Sequence, residues 1–344
     1  MRQRVLLARS TFALFVTLVL LLPATALGQT TDAKVTTTFR TPWGDPDLQG
    51  IWDTDAMRSV PLERPTEYGE RATLTKEELA ERAATEDVRA RDDKVGRPDD
   101  KQQPLRTPAH WDEYSDEPST QTSFIVDPPD GKIPALTAAE TSRVAAHQSS
   151  GGRPVRTRAG GIGTDRAEDR GLAERCIVGF STGPPMLPAG YNNNVQILQA
   201  PGYVALVVEM IHDVRIIPLG GPGHVAPDVR QWLGDSRGHW EGNTLVVDTT
   251  NFTDRIGSFS TTGQSWGTGA DLRLTERFTR VDADTLAYEF TVENPSVFTR
   301  TFSARFPMTR SDLPLYEYAC HEGNYGLYNI LNGARSEERA AATP

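Results

Sequence analysis

Apolar residues recur at every second position over much of the C-terminal half. Residues 272–281 and 286–292 alternate apolar and polar side chains on either side of Asp282-Ala283-Asp284. Phe302, Ala304, Phe306 and Met308 repeat the pattern within residues 300–308. A period of two predicts strands with one buried face. Residues 195–198 and 203–210 are denser β-branched runs split by Pro201-Gly202, a hairpin signal. Residues 214–219 end at Gly220-Gly221-Pro222-Gly223, and residues 244–250 follow the turn Glu241-Gly242-Asn243. Residues 316–319 read as a last short strand and residues 324–339 as a terminal helix. The pattern predicts an antiparallel meander of at least seven strands. Such strands close into a barrel or sandwich because closure hides their edges.

The N-terminal half reads differently. Residues 29–44 are a polar, Thr-rich arm, and residues 56–125 carry many charges and prolines. Residues 74–92 predict a surface helix capped by Thr73 or Thr75, and residues 136–147 a shorter one capped by Thr137. Residues 93–120 and the Gly- and Arg-rich residues 148–172 read as loop. Gly50-Ile51-Trp52 resembles the G-x-W that opens the first strand of lipocalin-type barrels. With the meander, that resemblance implies a mainly β fold: an antiparallel calycin-like barrel with a loop-rich, partly helical N-terminal wrap and a C-terminal helix. The expected division is a wrap over 29–175 and a barrel core over 176–344, forming one compact domain.

Arg2, Arg4 and Arg9 precede the apolar residues 12–22, and Pro23 and Ala26-Leu27-Gly28 follow. A basic region, a short apolar run and a small-x-small site form a secretory signal peptide over 1–28. The run is too short to span a bilayer, which needs about 20 residues. Cleavage would take the formal charge from -10 to -13, since it removes three arginines and no acid. An acidic surface argues against nucleic acid or anionic lipid as a partner and leaves a small molecule as the expected one. In an exported chain, Cys176 and Cys320 favour one disulfide, with two free thiols or a Cys320-His321 reactive pair as alternatives.

Three polar clusters interrupt the apolar runs. In the first, Glu209, Asp213 and Arg215 share one face if the strand is continuous, with Arg215 as the expected partner of Glu209. The pair would serve as an acid/base site at a pocket mouth or as a salt bridge pinning a strand crossing. In the second, His239 and Glu241 flank Trp240 in a stretch over 232–243 that also holds Trp232 and three glycines. Spaced i, i+2, they could supply two ligands of a divalent metal or a base with its orienting carboxylate. The third holds Tyr316, His321 and Glu322, where Glu322 also suits a helix-capping role. Glu276 and Asp248 occupy otherwise apolar strands and are candidate ligand-facing carboxylates, with Trp232 and Trp240 as an aromatic wall. His110, His147 and His224 read as surface residues.

The sequence has no G-x-S-x-G elbow, Walker loop, G-x-G-x-x-G turn, H-E-x-x-H or C-x-x-C-H. No organic cofactor motif is therefore present. WLGDSRGHWEGNTLVVDTTNF, YEYACHEGNYGLYNILNGAR and PDLQGIW resemble segments shared by a large family of exported bacterial proteins. The resemblance covers most of residues 176–336 and brings no activity with it. The leading expectation is an exported hydrolase, lyase or isomerase working on a small organic molecule by general acid/base chemistry. A non-enzymatic carrier of an apolar ligand is the alternative, and an envelope interaction protein a third reading.

Overall fold

The computed structural model describes residues 39–95, 113–115, 117–148, 163–179, 181–253 and 269–342. The expected signal peptide and His110 lie outside the described residues, as does the side chain of His147. Strands dominate: β1 (Gly50–Asp53), β2 (Ile125–Asp127), β3 (Val195–Ala200), β4 (Tyr203–Val208), β5 (Val214–Pro218), β6 (Asp235–Glu241), β7 (Thr244–Thr250), β8 (Arg273–Arg280), β9 (Thr285–Glu293) and β10 (Phe302–Ser311). Among the described residues, three α-helices accompany them: α1 (Lys76–Val95), α2 (Ala138–Gln148) and α3 (Tyr325–Ala341).

The helix starts follow from local capping. Thr75 accepts from the Glu78 N–H at 3.2 Å while Glu78 accepts from the Thr75 N–H at 2.7 Å, a reciprocal box at the start of α1. The Thr137 hydroxyl accepts from the Glu140 N–H, and the Asn324 side chain from the Leu327 N–H.

The strands form one antiparallel sheet in the order β5-β4-β3-β1-β10-β9-β8-β7-β6, with β2 pairing the other part of β10. β1 comes from the N-terminal half yet sits between β3 and β10, so the expected division into wrap and core is bridged at the centre of the sheet. The inner face carries one core, in which Trp52, Phe278, Tyr288, Phe290, Phe302 and Phe306 are almost wholly buried. Tyr288 is central, with ring centroids 5.0 Å from Phe278 and 5.2 Å from Phe306.

The expected closed barrel is not formed. The sheet curls until its edge strands meet at one isolated bridge, Leu219 to Gly238, where the Gly220 N–H donates to the Gly238 carbonyl at 3.1 Å. A Cβ on Gly238 would lie 2.7 Å from the Leu219 side chain, so glycine permits this approach. Pro218, which has no N–H to donate, ends β5 just before the bridge, and Gly220-Gly221 turns the chain away. No ladder therefore propagates along the seam.

Two further expectations change. Residues 316–319 are not a strand; residues 312–324 form an irregular strap between β10 and α3. The run 203–210 ends at Val208 because residues 209–213 turn back tightly, and Ile211 (φ 61°) and His212 (φ 47°) take left-handed backbone there. For a β-branched residue this is a strained conformation.

Candidate acid/base site

The tight turn separates the residues that a continuous strand would have placed together. Arg215 points into the core and Glu209 stays at the end of β4. The partner of Arg215 is Glu276, not Glu209: Nη1 and Nη2 donate to the two carboxylate oxygens at 2.6 and 3.0 Å. The Tyr288 hydroxyl donates to Glu276 Oε1 at 2.7 Å and accepts from the Met186 N–H at 3.1 Å. Glu276 and Tyr288 are fully buried and Arg215 nearly so. Burial works against the Arg215 charge, and the Glu276 carboxylate more than offsets this, leaving the guanidinium above its ordinary pKa. Burial and the same carboxylate hold the Tyr288 hydroxyl protonated, well above its usual range. A bidentate pair sealed in aromatic side chains is a scaffold feature, since no solute reaches it without opening the core.

Glu209 belongs to a second group. Its Oε2 accepts from Asn194 Nδ2 at 2.8 Å and its Oε1 from the Tyr316 N–H at 2.9 Å. Adjacent Asn193 reaches two more acids. Its side-chain amide donates to Asp55 Oδ1 at 2.9 Å, and its N–H to Glu113 Oε2 at 3.4 Å. Asp53 accepts from the Asp55 N–H. Four carboxylates, from the end of β1 and the turn after it, the end of β4 and the 113–115 segment, thus gather around Asn193 and Asn194. Arg58, whose charge acts on Asp55, donates to the carbonyls of Glu113 and Gly190 and stacks 4.0 Å over the Tyr114 ring.

Such crowding raises proton affinity. Burial, with the like charges of Asp55 and Glu209 adding to it, pushes Glu113 up to about 7 against backbone hydrogen bonds from Asn192 and Asn193. Burial and then the Asp55 charge push Asp53 up to about 6. Burial also raises Asp55, with Asn193 and Arg58 opposing. Asn192 (φ 52°), Ile211 and His212 place left-handed backbone on both sides of the group. Glu113 and Asp53 are only half-buried, unlike the Arg215 pair, so both remain open to solvent.

The other predicted residues lie apart from these groups. His239 and Glu241 pair with each other at 3.2 Å and Glu241 with Arg277 at 2.9 Å, all on the outer face of the sheet. His321 and Glu322 are exposed, and the N-cap of α3 is Asn324 rather than Glu322. Tyr316 is exposed and contributes its backbone N–H rather than its ring. Trp232 and Trp240 pack half-buried against the core. Asp213 acts on Arg215 through its charge. Asp248 takes a bidentate pair from Arg273 and sits 3.2 Å from His224. His224 is a half-buried bridge rather than a surface residue, its other ring nitrogen lying 2.9 Å from Asp235. Cys176 and Cys320 form the disulfide, with Cα atoms 5.8 Å apart.

Asp53, Asp55 and Glu113 were missed by the sequence reading. Asp53 and Asp55 did leave a signal, two acids directly after the buried Trp52. Glu113 left none among the many acids of its loop. Among the described residues, no set of three or more His, Cys, Asp and Glu side chains is placed to hold a metal ion, and no helix is long and apolar enough to cross a membrane. No family model, curated protein or solved structure matches the chain. The family resemblance of its motifs therefore stands on those motifs alone.

Proposed function

We propose that the protein is an exported enzyme acting on a small organic molecule by general acid/base chemistry, as a hydrolase, lyase or isomerase. Glu113 is the proton-transfer group of this reading. The carrying observation is a half-open carboxyl group whose pKa of about 7 is set by burial and by neighbouring acids. A general acid or base works best with a pKa near the ambient pH. Asp55 and Glu209 are its tuners, and Asn193 orients it through the backbone. Glu209, first expected as the base, has both oxygens engaged and is 2% exposed, which suits an electrostatic role. Export draws support from the N-terminal pattern and the disulfide. A calycin-like carrier draws less support, because Trp52, Phe278, Tyr288 and Phe306 fill the inner face.

The test is turnover of a panel of small esters, lactones and hydroxy acids by the purified chain. The reading expects an activity with an apparent pKa near 7 that falls by about 10²–10⁴-fold in Glu113→Gln. An activity indifferent to both Glu113→Gln and Glu209→Gln would remove this group from the mechanism.

A further inference from the structure

The geometry points to residues 312–324 as a disulfide-anchored strap that closes over Glu209, at one side of the candidate site, and opens when a dithiol cleaves Cys176–Cys320. The consequence for catalysis rests on the acid/base reading above; the strap itself does not. Three ties hold its middle to the strained turn and its surroundings. The Tyr316 N–H covers Glu209 Oε1, His212 Nδ1 lies 3.0 Å from the Tyr318 carbonyl, and the Tyr318 ring lies 6.4 Å from that of Tyr191. The fourth tie is the disulfide, four residues beyond Tyr316, and Asn324 Nδ2 then donates to the Glu174 carbonyl. Little burial supports the strap otherwise: Leu313 and Tyr316 are 61% and 63% exposed, and the backbone bonds of Cys320, Gly323 and Asn324 run within the strap. A segment with few buried contacts and a covalent anchor opens locally when the anchor goes.

Cys320 is the more exposed end of the bond, while Cys176 is buried. A dithiol thiolate would attack the Cys320 sulfur and release Cys176 as thiolate, which takes up a proton. The second thiol of the reagent then displaces Cys320. The reagent leaves as its cyclic disulfide, and the protein gains two electrons and two protons. Once the strap lifts, Glu209 loses the Tyr316 amide and its carboxylate becomes reachable from solvent. In the closed form Glu209 is shielded while Glu113 and Asp53 stay half-open, and the oxidised disulfide keeps it so.

The test compares the oxidised full chain, the dithiol-treated chain and Tyr316→Pro, which lacks the capping N–H but keeps the disulfide. Amide exchange is followed by NMR, and Glu209 accessibility by carbodiimide-driven amine labelling. The strap predicts exchange at Tyr316 at least ~10-fold faster after reduction, with β8–β10 still protected. It also predicts Glu209 labelling after reduction and in Tyr316→Pro, and none in the oxidised chain. A fully reduced chain in which Glu209 stays unlabelled would overturn the proposal. So would loss of protection across β8–β10, because the bond would then hold the fold and not a gate. Labelling needs no substrate, so an absent activity would count against the acid/base reading and leave the strap standing.

Discussion

Two places in this molecule gather ionisable side chains out of water, and they solve the problem in opposite ways. Inside the curled sheet, Glu276 meets Arg215 and Tyr288 and its charge is matched. At the end of β1 and β4, Asp53, Asp55, Glu113 and Glu209 meet asparagines and backbone amides, with the Arg58 charge acting on Asp55. Matched burial locks a protonation state, and unmatched burial leaves the proton near its point of exchange. The two groups differ in partners and in depth, since Glu113 and Asp53 are half-buried where Glu276 is fully buried. The core pair is therefore read as scaffold and the acid group as chemistry.

Removing one member of the matched pair should have the largest effect. In Glu276→Gln the Arg215 guanidinium stays buried without its countercharge, and the fold should lose about 3–5 kcal/mol in urea denaturation. Replacing both, Arg215→Met with Glu276→Leu, should recover the greater part of that loss, since no uncompensated charge remains. If Glu276→Gln costs less than about 1 kcal/mol, the core charge is matched some other way and the contrast fails.

The acid group should respond in the opposite direction and only above a certain pH. The pKa of Glu113 in the folded state, about 7, lies above its ordinary 4.5. Between those values the folded chain holds the proton that the unfolded chain has released, so stability falls as pH rises through this window. Below pH 4.5 both states are protonated and the site costs nothing; above 7 the cost is complete. Glu113→Gln should therefore leave stability at pH 4 nearly unchanged and raise it at pH 8. The gain should be about 1 kcal/mol once screening by the solvent that reaches the half-buried side chain is discounted. A residual slope ending near pH 6 should remain, from Asp53. Urea midpoints at pH 4, 6 and 8 check this, and a variant with the full wild-type slope would place the raised acid elsewhere.

The strands were legible because burial of one sheet face leaves a period of two in the chain, and β8, β9 and β10 keep that period almost to the residue. The capped helices were legible because Thr75 and Thr137 act on amides three residues away. The seam was not, since meeting at one bridge instead of a ladder depends on where Pro218 and Gly238 fall in space. Glu209 was visible as a carboxylate closing an apolar run, and Glu276 as an acid in an apolar register. Their partners were not visible. The turn at Ile211-His212 reverses the chain, so the shared face of Glu209 and Arg215 was a property of a straight strand that does not exist. Glu113 acts on residues far away in sequence, and its own neighbours say nothing of them.

The smallest effect belongs to the second of the clusters that the sequence offered as a site. His239 and Glu241 stand on the outer face of β6, each with half or more of its side chain in water, and Glu241 reaches Arg277 across β7. Exposed contacts of this kind contribute little, because water already solvates both partners. His239→Ala should thus change stability by less than about 0.5 kcal/mol. It should leave the slope between pH 4.5 and 7 assigned to Glu113 intact, and with it any activity that depends on Glu113. The same comparison in high salt should shrink what effect there is. A His239→Ala chain that loses activity while keeping its fold would move the chemistry to the outer face of the sheet, and the acids at the end of β1 and β4 would then have to be read as a cost to stability without a catalytic return.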